Sequence, residues 1–367
     1  MADKRYVISG LLTGGLLALV LVLVLFSGDL STRKTLTITP ALYVFGDSTV
    51  DSGNNNFLAT KAKADFAPYG VDLADGSPLG RFTNGLTFAD FIAQYLGLPP
   101  PPPFLSFKDP QSRKAIQTGL NFASGSCGIL NHTGAISGKC LSLAEQVDSF
   151  QITVTQDSQQ PGKRDPRQDH VAESVVLISM AGNDYTLGYF FNPTMTKKYD
   201  PATYTQLMIQ SFMASIERIV KLGAKRFIVL GMPQIGCSAP FLLRNRGKCD
   251  EQVNKIIASY NSQITADLTK VGTDWGIRYT IIVPEKIDIR QVAAETKLKS
   301  ALEPCCQVDP FGICIKDSKP CNNRDDHLIF DAVHPSQVYH RYIATNCFNG
   351  TGTCMPANVL QLCRSGG

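Results

Sequence analysis

Ala41-Leu42-Tyr43-Val44-Phe45-Gly46-Asp47-Ser48 is the stretch that decides how this chain is read. Five apolar residues in succession are too few for a helix and suit a strand buried on both faces. The run halts at Gly-Asp-Ser, and a polar, turn-rich loop, Asp51-Ser52-Gly53-Asn54-Asn55-Asn56, follows. Similar short apolar runs recur at 175–180, 227–230 and 279–283. Residues 88–96 are amphipathic, and 142–150, 204–222 and 251–268 place apolar residues three and four apart, the helical spacing. Strands alternating with helices predict an α/β domain with a mostly parallel sheet covered on both sides. Ligands of such sheets sit beyond the carboxyl ends of the strands. Three polar clusters stand at those ends: Gly46-Asp47-Ser48, Gly182-Asn183-Asp184 and Gly231-Met232-Pro233.

Ser48 at a strand end is a candidate nucleophile, because a serine needs only a neighbouring base to become reactive. Asp47 and Ser48 are equally common as turn or helix caps. The pattern Gly-x-Ser-x-Gly is absent around Ser48. Of the five histidines, His132 lies in a glycosylation sequon and is expected to be exposed, and His170 lies in a polar stretch expected to be a solvated loop. His327 and His340 follow Arg324 and Gln337 by three residues, whereas His334 follows Asp331. A carboxylate three residues before a histidine can turn back onto the ring nitrogen that faces away from the serine. The competing reading makes Asp331 a helix cap, with Pro335 at an early helical position. A tetrahedral intermediate also needs donors for its oxyanion. The Ser48 N–H, the Asn183 side chain and a glycine of Ser124-Gly125-Ser126-Cys127-Gly128 are the candidates.

The chain has 367 residues, 44% hydrophobic and 18% charged, with a formal charge of +4 and scattered basic residues. That gives no case for nucleic acid. Lys4 and Arg5 precede an apolar stretch over 7–26, followed by small and polar residues. Residues 1–30 therefore read as a secretory signal peptide or, since about 20 apolar residues span a bilayer, as a signal-anchor. Residues 31–367 read as one domain without a second membrane segment. The 11 cysteines all lie from Cys127 onward, lack zinc-ligand spacing and predict at least three disulfides in an oxidising compartment. Cys127 with Cys140, and Cys305 and Cys306 with Cys314 and Cys321, are close enough to pair, and the odd count leaves a thiol over. The sequons at Asn131 and Asn349 would be usable in that compartment.

Phe45-Gly46-Asp47-Ser48 with Asp51-x-Gly53-Asn54-Asn55, the block from Asn121 to Ile129, Gly182-Asn183-Asp184-Tyr185 and Asp331-x-x-His334-Pro335 resemble, in order, the blocks of the plant GDSL esterase/lipase family of SGNH hydrolases. The similarity runs over about 42–344. It implies a three-layer α/β/α, flavodoxin-like fold and hydrolysis of acyl esters through an acyl-serine. It implies Ser48 as nucleophile, His334 as base, Asp331 as its carboxylate partner, and Ser48, Gly128 and Asn183 as the oxyanion hole. Gly125 remains the alternative to Gly128. The stretch Gln307-Val308-Asp309-Pro310 lacks glycines usual in the family. The expected protein is a secreted or signal-anchored esterase or lipase, in the cell wall or apoplast by the same resemblance. It needs no metal or cofactor and takes a lipid, aryl ester or acetylated polysaccharide as substrate. An acyltransferase using the same intermediate and a non-catalytic lipid or carbohydrate binder are the alternatives. An ester assay separates the binder; product analysis with an acceptor alcohol separates the transferase.

Overall fold

The computed structural model describes residues 37–155, 166–283 and 303–364, together with Ile287 and Val292. The expected signal or anchor, residues 1–30, lies outside them. Among the described residues no helix is long and apolar enough to cross a membrane.

All four predicted strands form: β1 (Leu42–Gly46), β2 (Val175–Ser179), β3 (Arg226–Leu230) and β4 (Arg278–Ile282). They lie side by side in that order, all parallel, with Leu42 opposite Val175, Val176 opposite Phe227 and Arg226 opposite Arg278. A two-residue β5 (Cys354–Met355) closes the far edge antiparallel to β4. Nothing in its composition announces it. The outer edge of β1 is not bare. Residues 118–124 run alongside it: Leu42 N–H donates to Thr118 O, Val44 N–H to Leu120 O, and Phe122 N–H to Val44 O. With this segment counted, the chain moves first to one side of β1 and then to the other. The carboxyl end of β1 is thus a topological switch point, where α/β sheets open a crevice.

Alternate strand residues point to opposite faces. Tyr43, Phe45, Val176, Ile178, Phe227, Val229 and Ile281 pack with α2 (Leu143–Val154), α3 (Pro201–Lys221) and α4 (Glu251–Asp274). On the other face, Leu42, Val44, Val175, Leu177, Ile228 and Ile282 pack with α1 (Phe88–Tyr95), α5 (Gln337–Asn349) and α6 (Val359–Arg364). These are the three layers of the expected sandwich. β1 and β2 are buried along their whole length, which is why their sequences lack polar alternation.

Five disulfides join Cys127 to Cys140, Cys237 to Cys249, Cys305 to Cys321, Cys306 to Cys314, and Cys347 to Cys354. Cys363 is the remaining, buried thiol, pushed up to about 11 by burial. Two expectations need correction. His170 lies on the helix Pro166–Glu173, not in a loop. His132 is half-buried, its Nε2 3.1 Å from the Tyr204 hydroxyl, because the loop that carries it packs against α3.

The end of β1 tolerates no side chain at Gly46. Its φ is +159°, and a Cβ there would lie 2.4 Å from the Ser179 carbonyl oxygen and 2.6 Å from a Val50 methyl. Gly46→Ala is expected to cost about 1–3 kcal/mol, the usual range for overpacking a tight site, read as a lower midpoint in urea unfolding. Peptide mapping without reductant should recover the five pairs above, with Cys363 free; a different pairing contradicts the fold described here.

Candidate active site

The turn after β1 is held from three sides. The Gln146 side chain on α2 accepts from Gly46 N–H at 2.9 Å and donates to Gly46 O at 2.8 Å. Asp47 N–H donates to Ser179 O on β2, and Ser124 N–H to Gly46 O. Asp47 itself accepts from the Thr49 N–H and hydroxyl. Its carboxyl is raised above the usual range by burial. Ser48 projects from this fixed turn and is itself mostly buried.

The second half of the site comes from 286 residues further along the chain. His334 Nε2 lies 2.8 Å from Ser48 Oγ, and His334 Nδ1 lies 2.7 Å from Asp331 Oδ2. Asp331 Oδ1 accepts from the backbone N–H groups of Val333 and His334 at 2.8 and 2.7 Å. The carboxylate therefore closes its own loop and does not cap α5, whose N-cap is Ser336. The Phe82 ring lies 5.0 Å from the His334 ring, centroid to centroid, and walls one side of it.

The third piece joins the strand ends. Asn183 Nδ2 donates to Cys127 O at 3.0 Å, and its second amide hydrogen has no protein acceptor among the described residues. The next residue, Asp184, is fully buried and accepts from Ile129 N–H at 2.8 Å, Leu130 N–H at 3.0 Å and the Thr133 hydroxyl at 2.7 Å. A Cβ on Gly128 would come within 2.3 Å of this carboxylate, so only glycine fits there. Gly125 N–H, by contrast, is used by Asp51 Oδ2 at 3.2 Å. Among the described residues, the N–H groups of Ser48 and Gly128 meet no protein acceptor. The structure thus favours Gly128 over Gly125 as an open donor.

Tyr69 and Gln146 escape sequence reasoning, as do the supporting roles of Asp51, Asn54, Asn55 and Asp184, which it names only as members of blocks. Tyr69 donates its hydroxyl to Asp331 Oδ2 at 2.6 Å. Gln146 and Asp184 hold the two backbone turns described above. Asp51 accepts from the N–H groups of Gly53 and Asn54, both at 2.8 Å. Asn54 and Asn55 tie the same loop to the 121–125 segment through the carbonyls of Asn121, Ala123 and Gly125. The sequence marks 51–56 as a polar, turn-rich loop and does not say which segments it is tied to. His340 is buried in α5, and burial pulls its pKa down to about 3, so it stays neutral. Among the described residues the one His/Cys cluster with metal-like spacing is Cys305, Cys321 and His327, but its two sulfurs are joined in a disulfide.

The sequence of residues 42–346 matches the model of the GDSL-like lipase/acylhydrolase family. The chain belongs to that family. It is similar to the GDSL esterase/lipase At5g08460 of Arabidopsis thaliana, at 32% identity over 94% of this chain and 92% of the relative. It is similar to At1g71691 of the same plant at 33%, over 89% and 86%, and to GDSL esterase/lipase 7 at 32%, over 95% and 99%. This GDSL chain is an ester hydrolase.

Burial raises Asp184 to about 6, against the backbone donors that favour its charge. Its folded-state value lies above the ordinary 3.8, so protonation favours the fold. That contribution is complete below the ordinary value and is lost as pH rises through about 6. Asp184→Asn should remove this slope from the stability–pH curve. It also turns an amide N–H₂ toward a backbone donor, at a cost of about 1–3 kcal/mol in thermal or urea unfolding.

Proposed function

We propose that the protein hydrolyses carboxylic esters by a Ser48–His334–Asp331 triad with an acyl-serine intermediate. The observation that carries the reading is the unbroken line from Asp331 Oδ2 through both nitrogens of His334 to Ser48 Oγ, at 2.7 and 2.8 Å. Ser48 Oγ attacks the ester carbonyl carbon as its proton passes to His334 Nε2. The carbonyl oxygen, now negative, is met by the N–H groups of Ser48 and Gly128 and by the free Asn183 amide hydrogen. The tetrahedral species collapses, the alcohol leaves with the proton from His334, and Ser48 keeps the acyl group. Water then attacks the acyl carbon, giving its proton to His334; the second tetrahedral species collapses, the bond from the acyl carbon to Ser48 Oγ breaks as His334 returns the proton to that oxygen, and the acid departs. Asp331 holds the ring's orientation and stabilises its transient positive charge.

The chemistry calls for an acyl ester, and the substrates proposed, from the family resemblance, are a lipid, an aryl ester or an acetylated polysaccharide. Secretion rests on the N-terminal apolar segment and agrees with five disulfides, which persist in oxidising compartments. Asn131 and Asn349 are both exposed, as glycan acceptors would need to be.

The test is p-nitrophenyl acetate hydrolysis by purified variants. Ser48→Ala is expected to lose at least about a thousandfold in kcat with an unchanged melting temperature. Asn183→Ala should lose about 10²–10³-fold in kcat, the usual effect of one oxyanion donor. A folded Ser48→Ala enzyme of near wild-type activity overturns the triad.

A further inference from the structure

Residues 303–321 form a loop with no counterpart in the catalytic scheme above, and it is built with unusual rigidity. Adjacent Cys305 and Cys306 pair with Cys321 and Cys314, so one disulfide is nested inside the other. Inside the inner one the chain makes a small hairpin. Asp309 N–H donates to Ile313 O, Ile315 N–H donates to Gln307 O, and Asp309 Oδ1 accepts from Phe311 and Ile313 N–H. Asp309 and the positive φ of Gly312 make this turn without the glycines absent from 307–310.

This hairpin is docked on the segment that carries the acid and the base. Cys305 N–H donates to Phe330 O at 2.8 Å, and Ala332 N–H donates to Gly312 O at 2.9 Å, one contact on each side of Asp331. A third contact passes through a side chain from elsewhere in the sequence. Cys314 N–H donates to the Tyr69 hydroxyl oxygen at 3.0 Å, and that hydroxyl donates to Asp331 Oδ2 at 2.6 Å. Tyr69 and Asp331 are both essentially without solvent exposure. The Tyr69 ring is fixed edge-on against Phe66, Phe82 and Phe330, and Phe82 in turn lies against His334.

We infer that Tyr69 is a positioning residue for Asp331 and that the inner disulfide, Cys306–Cys314, holds it in that role. The proposal rests on the triad reading. Cys314 N–H occupies the phenol oxygen as donor and so directs the phenol proton toward the carboxylate. Burial and the Asp331 charge push Tyr69 well above its ordinary range, so the proton is always present to be donated. The oxygen that receives it, Oδ2, is the one that also accepts from His334 Nδ1. The two donors share its charge. Tyr69 therefore keeps the carboxylate in place while moderating how strongly it holds a proton on the imidazole. The other ionisable groups facing this chain are Asp47 from the turn after β1, His340 from α5, and Asp309 from the hairpin beside Tyr69.

Tyr69→Phe keeps the aromatic packing and removes only the bridge. With p-nitrophenyl acetate, its kcat should fall about tenfold or more, and the acid limb of kcat/KM should move to higher pH, because Oδ2 then serves His334 alone. Cys306→Ala/Cys314→Ala, with four disulfides left and Tyr69 intact, should move the limb in the same direction by a smaller amount, and it decides the matter if the phenylalanine variant does not fold. A lowered melting temperature with an unmoved acid limb shows that Tyr69 only packs, and overturns the inference; so does a limb that moves to lower pH. Wild-type enzyme treated with a phosphonate ester distinguishes the two readings. Failure to label Ser48 rejects the triad itself, whereas labelling at Ser48 with an unmoved limb in the variant rejects only the role of Tyr69.

Discussion

A carboxylate with no exposed surface needs a donor for each of its lone pairs, and Asp331 has found four. Two are the backbone N–H groups of Val333 and His334, which bend the loop into a shape that presents the imidazole. One is the imidazole itself, and one is Tyr69. Because burial would otherwise make the charge untenable, these bonds leave the loop little freedom. The ring orientation, and hence the distance to Ser48, follows from how this single group is satisfied.

The same physical device recurs around the site. Asp51 shapes the loop after Ser48 and ties it to Gly125; Asp184 shapes the loop after Gly128 and sits beside Asn183. Asp90, buried in α1, pairs both oxygens with Arg81, whose remaining nitrogen reaches Ser52 O. Each carboxylate gathers backbone or guanidinium donors from a different stretch of chain. These bonds tie the loops to one another, since removing a donor while the carboxylate stays buried would leave it unsatisfied. The groups proposed to react sit on these loops, and the sheet fixes only where the loops begin.

The strands and the long helices were legible because each is decided locally. Buried parallel strands must be continuously apolar, as in residues 42–45 and 175–180, and α3 and α4 show their buried stripes plainly. β5 was not legible: two residues carry no periodicity, and Cys354 is held there by its bond to Cys347 and by pairing with Ile282. Nor was the strand-like course of 118–124, which is apolar only in part and follows β1 because its backbone completes an edge. His132 and His170 were misplaced for a related reason: a sequon and polar neighbours mark exposure on average, but packing against α3 or forming a helix overrides the average.

Ser48, Asp331, His334 and Asn183 could be named as candidates from the sequence because their residue types and short spacings have few other uses together, and because four blocks in a fixed order are more specific than any one of them. Gly125 and Gly128 could not be separated that way. The choice turns on which N–H is already bonded, a fact about Asp51 and Asp184 that no local spacing encodes. Tyr69 stands 262 residues from Asp331, and Cys314 245 from Tyr69. A sequence determines residue chemistry and local periodicity directly. It determines long-range hydrogen bonds only through the folded chain, because their geometry depends on every packing contact between the two ends.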